Sequence, residues 1–153
     1  MIKLKRTNSS NKDFIKLIKY LDADLAVRDG EEHSFYHQFN NIDVIKYVVV
    51  LYENNQPIAC GAIKHHTSNT MEIKRMYTSL NSRGKGIATL ILIELEHWSA
   101  ELGYKKCALE TGEKQPEAIQ LYVKNGYQII PNYGQYMGTE NSLCFEKKLI
   151  TGQ

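Results

Sequence analysis

The chain has 153 residues, 42% of them hydrophobic, and a formal net charge of +2. A chain of this length buries about two thirds of its unfolded surface in one core and needs neither a disulfide nor a metal to fold. Its cations are spread along the sequence rather than gathered in one block, which argues against an extended nucleic-acid surface but allows a small anionic ligand. We therefore expect one domain over residues 1–153.

Targeting signals and cysteines point to the cytoplasm. The N-terminus, MIKLKRTNSS, has no apolar core of signal-peptide length, and no run reaches the roughly 20 apolar residues of a membrane helix. Cys60, Cys107 and Cys144 are widely spaced and form no CxxC pair. They are expected to be small buried hydrophobes in a reducing compartment, with no membrane partner.

The first half of the chain predicts an antiparallel meander preceded by a helix. A short strand from Ile2 to Arg6 leads to a helix near Asp13 to Leu21. Residues 22 to 43 are polar, and their aromatic residues Phe35, Tyr36 and Phe39 suggest a second helical piece. The runs "KYVVVLYE" and "IACGAIKHH", joined by the turn "ENNQP", then predict a hairpin, which "MEIKRMYTS" extends.

The second half alternates helices and strands. An apolar stripe predicts a helix from Gly86 to Leu102, with Gly103 as its stop. The strand "YKKCALET", the helix "PEAIQLYVKNG" and the strands "YQII" and "SLCFEKKL" follow. This order predicts an α/β fold whose sheet is antiparallel in its first half and contains a strand-helix-strand crossover after a glycine turn.

That glycine turn, "RGKGIA" from Arg83 to Ala88, predicts a phosphate site. A glycine-rich turn before a helix presents several unpaired N–H groups to one point, where the helix dipole adds about half a positive charge. The Walker pattern is absent from the sequence. Two alternatives stay open. One is a dinucleotide fingerprint, GxGxxT from Gly84 with Glu110 about 20 residues later, although antiparallel strands precede the loop. The other is a tight turn with close helix packing and no ligand.

Two motifs together resemble the GNAT family, the Gcn5-related N-acetyltransferases. The string Arg83-x-x-Gly86-x-Ala88 is similar to the family's acyl-CoA pyrophosphate loop, and "LETGEKQPEAIQLYVKNGY" is similar to its strand, helix and "LYxxxGY" signature. The resemblance covers roughly residues 45 to 148. It implies a mixed, mostly antiparallel sheet flanked by helices, and an N-acetyltransferase that uses acetyl-CoA as cosubstrate.

The resemblance also implies where acetyl-CoA binds. Amides of residues 84 to 89 would hold the pyrophosphate with charge from two flanking cations, and the end of the preceding strand would pair with the pantetheine arm in the splay beside "ALET". Gln115 stands where many members have Asn, so its amide would reach the cofactor on a longer arm. The implied binding residues are Met76, Tyr77, Thr78, Arg83, Gly84, Lys85, Gly86, Ile87, Ala88, Thr89 and Gln115.

Acetyl transfer to an amine needs a base and an acid. An amine with a pKa near that of lysine, about 10.4, must lose a proton before it attacks, and the leaving thiolate must gain one. The resemblance implies Glu72, eleven residues before Arg83, as general base and Tyr122 as general acid. Two plainer interpretations stay open: Glu72 as an exposed strand charge paired with Lys74 or Arg75, and Tyr122 as a packing residue.

The acceptor is less defined by the sequence. Tyr133 and Tyr136 in "NYGQY" either line an acceptor pocket or close a hairpin. Acidic residues between positions 22 and 32 either attract a cationic amine or form a solvated face; they are Asp22, Asp24, Asp29, Glu31 and Glu32, against one base, Arg28. We predict a small-molecule amine as substrate, with a homodimer left open because family members often pair through their last strands.

Other chemistries find little support. His33 and His37 have helical spacing but lack the glutamate of HExxH, and His65 and His66 adjoin a turn, so no metal site is predicted. No GxSxG nucleophile elbow is present. The alternative functions are a non-catalytic CoA-binding or sensing module and a small NAD-binding protein that uses the GxGxxT loop.

Overall fold

The computed structural model describes residues 1–29 and 44–150, which form a seven-stranded sheet in the order β1-β2-β3-β4-β5-β7-β6. The described pairs are antiparallel except for β4 with β5, which is parallel. The sheet is therefore mixed and mostly antiparallel, as predicted. Its strands are β1 (Ile2–Thr7), β2 (Tyr47–Glu53), β3 (Gln56–Thr67), β4 (Thr70–Thr78), β5 (Lys106–Gly112), β6 (Gln128–Ile130) and β7 (Ser142–Lys148), and its helices are α1 (Lys12–Asp29), α2 (Ile87–Glu101) and α3 (Pro116–Lys124).

The helices cover the two faces of the sheet. On one face, Ile91 and Leu95 of α2 pack into a core with Val49 and Ile63, and Tyr122 of α3 joins the same cluster. On the other face, Phe14 of α1 packs on the side chains of β2 and β3. None of the helices in the described ranges is long and apolar enough to span a membrane.

Helix α1 is longer than its sequence pattern predicts. The expected helix near Asp13 to Leu21 continues to Asp29. The extension buries Leu25 partly against the α1-side core, because Leu21 and Leu25 are one turn apart and continue the same apolar stripe. The second helical piece predicted around Phe35, and the residues Glu31, Glu32, His33 and His37, lie outside the described residues.

Strands β4 and β5 pair over only three residues before they diverge. Their pairing runs from Thr70 opposite Lys106 to Glu72 opposite Ala108. Further along β4, Arg75 has a left-handed backbone with φ of 61° and interrupts the register with β3. Such a bulge bends a strand locally. The diverging ends of β4 and β5 leave a cleft at the centre of the sheet, as expected beside "ALET".

Gly61 of β3 lies opposite this bulge and sets how closely α2 can approach. A Cβ at Gly61 would lie 2.6 Å from Met76 Sδ and 2.7 Å from Ile91 Cγ2, distances that no real Cβ tolerates. The missing side chain therefore lets α2 sit directly on the sheet, with its N-terminus beside the cleft.

Candidate functional site

The cleft between β4 and β5 contains a cavity of about 570 Å³. Its walls come from β4 between Glu72 and Thr78, the glycine turn, the end of β5 and one side of each of α1 and α3, with Tyr136 from the loop after β6. The structure brings together nearly all of the site residues named from sequence: Glu72, Met76, Tyr77, Thr78, Arg83, Gly84, Gly86, Ile87, Ala88, Thr89, Gln115 and Tyr122 all line the cavity. Lys85 differs, since it is exposed and lies outside the cavity wall.

The two glycines of the turn allow its left-handed backbone conformation. Gly84 and Gly86 have φ of 77° and 79°, in the left-handed region that favours glycine. A Cβ on either would meet nothing within 4 Å, so neither is required for close helix packing. Close helix packing, one part of the ligand-free alternative, therefore does not explain the two glycines, whereas their left-handed φ values fit its tight turn. Both residues also line the cavity.

The start of α2 is available to an anion. Gly86 is its N-cap, no side chain caps the helix, and its first turn carries no acidic residue. The first N–H groups of a helix lack partners within the helix, and the dipole places partial positive charge there. These groups lie at the cavity wall formed by Gly86, Ile87 and Ala88. The arrangement fits a pyrophosphate.

Arg83 is fixed beside this helix start by three contacts. Its Nε donates a hydrogen bond of 2.8 Å to the carbonyl oxygen of Thr78, and its guanidinium lies 5.7 Å from the ring centre of Tyr77. Its Nη2 lies 3.6 Å from Oδ2 of Asp24 on α1. Asp24 was one of the acids expected either to attract a cationic amine or to form a solvated face, and the structure places it against Arg83 of the glycine turn.

Glu72 is buried at the other end of the cavity, with 8% of its surface exposed. Its Oε2 accepts a hydrogen bond of 2.8 Å from the phenol of Tyr133, and Lys74 Nζ lies 3.7 Å from its Oε1. Arg75, the other expected partner, lies instead 3.6 Å from Oδ1 of Asp22. The interpretation of Glu72 as an exposed strand charge is therefore wrong, although its pairing with Lys74 is present.

Tyr122 both packs in the core and lines the cavity. Its ring meets Tyr127 edge-on at 5.8 Å and Phe145 at 6.4 Å. Burial, and secondly the negative charge of Glu110, raise the pKa of the Tyr122 phenol well above its usual range. The phenol therefore keeps its proton at neutral pH and can donate it.

The cavity also contains residues that were not named from the sequence as binding residues. Glu110 and Thr111 reach it from the end of β5, in the "ALET" run beside which the cofactor was expected, and Leu21 and Leu25 reach it from α1. The polar "ETG" at the end of a buried strand was the sequence signal for the first two. The contact of α1 with the cavity depends on how the helix packs on the sheet, which no local pattern reveals.

The two histidines beside the β3–β4 turn have protein partners. His65 Nδ1 lies 2.7 Å from the hydroxyl of Tyr104, and the His66 ring lies 4.5 Å from the ring of Tyr133. Within residues 1–29 and 44–150, no three His, Cys, Asp or Glu side chains form a group that could hold a metal ion.

Residues 14–127 match the model of the acetyltransferase (GNAT) family. The chain belongs to the GNAT family. Among its relatives, this GNAT protein is 32% identical over 100 residues to the uncharacterised N-acetyltransferase YsnE of Bacillus subtilis. That match spans 64% of the chain and 66% of YsnE, just under two thirds of the relative's length.

Solved structures have the same fold as this GNAT chain. A protein described as an acyl-CoA N-acyltransferase from Klebsiella pneumoniae aligns with a TM-score of 0.82 and 25% identity, over 98% of this chain and 99% of that one. A GNAT family acetyltransferase from Elizabethkingia anophelis, solved with acetyl-CoA bound, aligns with a TM-score of 0.67 and 17% identity, over 97% and 98% of the two chains. The predicted family and fold are confirmed. Acetyl-CoA is the acyl donor of GNAT acetyltransferases, as the sequence analysis expected.

Proposed function

We propose that this GNAT chain is an N-acetyltransferase, carried by one domain over residues 1–153, that moves the acetyl group of acetyl-CoA to the primary amine of a small molecule. The observation that supports it is one cavity whose wall includes the uncapped start of α2, the buried carboxylate of Glu72 and the buried phenol of Tyr122. Since donor and acceptor must meet, a shared cavity is what direct transfer requires.

The donor would be held mainly by backbone groups. The N–H groups at the start of α2 and the guanidinium of Arg83 suit the pyrophosphate. The β4 backbone from Met76 to Thr78 does not pair with β5, so it can pair with the extended pantetheine arm. Gln115, at the N-cap of α3 without a side-chain capping bond, has an amide available in the same wall. When bound, acetyl-CoA supplies the thioester that the amine attacks.

The chain's own groups handle the protons. Glu72 takes one proton from the substrate ammonium, which leaves the nitrogen lone pair free to attack, and later releases that proton to solvent. Tyr122 donates its phenolic proton to the departing sulfur and recovers a proton from the acylated nitrogen. Of the three ammonium protons, one stays on the amide, one ends on the sulfur and one reaches solvent.

The first test of this function is binding. Titration calorimetry with acetyl-CoA, CoA and NAD would be run on the wild type, on Gly86→Leu and on Gly103→Leu. Gly103 is the matched control, because it also has a left-handed φ, 93°, with nothing within 4 Å of its Cβ position, but lies at the far end of α2. We expect acetyl-CoA to bind the wild type and Gly103→Leu, and not Gly86→Leu.

The second test is turnover. CoA release would be followed with a panel of primary amines that includes spermidine, free amino acids and a lysine peptide. CoA binding without turnover across the panel would favour the non-catalytic module. Binding of NAD in place of CoA would favour the dinucleotide alternative and contradict the proposal.

A further inference from the structure

The loop between β6 and β7 brings a tyrosine into hydrogen-bond contact with Glu72 of β4, the proposed base. Tyr133 lies 61 residues from Glu72 in sequence, yet its phenol donates a hydrogen bond of 2.8 Å to Glu72 Oε2. Both groups are shielded from water, because Glu72 is buried and Tyr133 is partly buried. A hydrogen bond to a charged group in such a place is among the stronger ones in proteins.

The loop is built to keep this phenol in place. The ring of Tyr133 lies between His66, at 4.5 Å, and Tyr136, at 5.8 Å. The backbone N–H of Tyr136 donates to the carbonyl of Tyr133. Asn132, next to it, uses its side-chain amide to bond the carbonyl oxygens of Thr139 and Ser142, both at 3.0 Å, which ties the two ends of the loop together.

The two carboxylate oxygens of Glu72 are therefore not equivalent. Oε2 accepts the Tyr133 hydrogen bond, while the cation nearest to Oε1, Lys74 Nζ, lies at 3.7 Å, beyond hydrogen-bond distance. Oε1 thus keeps lone pairs for a proton from the substrate. A carboxylate fixed by one oxygen and open at the other presents a single, oriented base.

We propose that Tyr133 is a positioning residue for this GNAT chain: it holds Glu72 Oε2 so that Oε1 receives the proton of the acceptor amine. The inference rests on the proposed function, in which Glu72 is the general base. It predicts two effects of the phenol, a fixed carboxylate orientation and a stabilised carboxylate charge.

Other charged or titratable groups around Glu72 must be kept constant in any comparison of variants. The charged or basic ones are Lys64 and His66 of β3, Lys74 of β4 and Glu110 of β5, and the neutral ones are Cys144 of β7 and Tyr136 of the same loop. Tyr133→Phe leaves all of them in place. It also keeps the ring that packs between His66 and Tyr136, so that only the hydroxyl is removed.

The deciding experiment observes the Glu72 carboxylate directly. Protein labelled with ¹³C at the glutamate Cδ would be examined by NMR at one fixed pH, with the Glu72 resonance assigned by its loss in Glu72→Gln. In Tyr133→Phe we expect the Glu72 resonance to move and broaden relative to the wild type, because the hydrogen bond that fixes Oε2 has been removed. Tyr104→Phe is the matched control, since it also loses one hydrogen bond, to His65, away from the cavity. A Glu72 resonance in Tyr133→Phe that matches those of the wild type and Tyr104→Phe would overturn the inference.

The same variants would then be assayed for CoA release with an amine that the panel identifies. We expect kcat to fall about tenfold in Tyr133→Phe with KM unchanged, because a less well oriented base slows proton transfer and not the binding of the amine. In a Glu72→Gln background, Tyr133→Phe should cost nothing further, because the group it positions is gone. Equal losses in both backgrounds would overturn the inference. A changed Glu72 resonance in a protein that acetylates no amine would support the contact of Tyr133 with Glu72 and contradict only the proposed function.

Discussion

Asp24 and Arg83 join helix α1 to the glycine turn, with 3.6 Å between Oδ2 of the acid and Nη2 of the arginine. A phosphate bound at the proposed site at the start of α2 would compete with this carboxylate for the same guanidinium. Because like charges repel, we expect the acid that contacts Arg83 to weaken the binding of an anion there.

We therefore predict that Asp24→Asn tightens CoA binding. Both side chains are about one third exposed, at 33% and 35%, so screening keeps the effect small, and about a threefold lower Kd is expected. Calorimetry at low and high salt would measure it, and the gain should shrink as salt rises. Asp13→Asn, which removes the same charge from the first turn of α1, serves as control. Weaker binding in Asp24→Asn would mean that Asp24 chiefly orients Arg83.

Loss of the proposed base or acid should lower turnover without weakening donor binding. For Glu72→Gln and for Tyr122→Phe we expect kcat to fall by about a hundred- to ten-thousandfold with the Kd of CoA unchanged. Because the pKa of Tyr122 is raised by burial and by Glu110, its phenol stays protonated well above neutral pH. The wild-type rate should therefore show no alkaline loss due to Tyr122 below about pH 10. Full activity in both variants would rule out the assigned roles.

A buried polar cluster that links α2 to the C-terminal strands should contribute to stability. Tyr127 donates a hydrogen bond of 2.8 Å to Glu96 Oε2, while Lys147 Nζ lies 3.0 Å from Oε1 of the same carboxylate. Removing a hydrogen bond to a buried charge costs about 1.5 to 3 kcal/mol, so Tyr127→Phe should lower the free energy of unfolding by that amount. Urea unfolding would measure the loss. Tyr104→Phe, whose hydrogen bond is exposed, should lose about 0.5 kcal/mol, and equal losses would contradict the argument.

Stability should fall at alkaline pH because the fold protects acidic groups in their neutral form. Burial raises the pKa of Cys107 to about 11 from an ordinary value of 9.0, and it raises the pKa of Tyr127 well above 10.0. Above pH 9 for Cys107, and above pH 10 for Tyr127, the unfolded chain releases a proton that the folded chain keeps, so the free energy of unfolding declines by about 1.4 kcal/mol per pH unit for each group in its range. Urea titrations from pH 8 to 10.5 would show the decline. Cys107→Ala should make it shallower between pH 9 and 10.5, and an unchanged slope would contradict the assignment to Cys107.

Much of this structure is encoded locally, and the remainder depends on distant parts of the chain. The glycine turn was predictable because φ near 80° at Gly84 and Gly86 and a following apolar stripe are local properties. The contact of Tyr133 with Glu72 was not, since it depends on β5, β7 and β6 lying side by side in that order. The left-handed backbone at Arg75 was not predictable either, because it coincides with an irregularity in the β3–β4 pairing and arginine has no local preference for a positive φ.

β4 and β5 pair over only three residues, and the residues of the proposed chemistry come from both sides of this short pairing. Glu72 belongs to the meander on one side, whereas Tyr122 and Tyr133 belong to the chain that follows β5 on the other. The proposed base and acid therefore keep their relative positions only while β4 and β5 stay paired. A substitution that loosens this three-residue pairing should lower the rate of acetyl transfer before it measurably lowers the melting temperature.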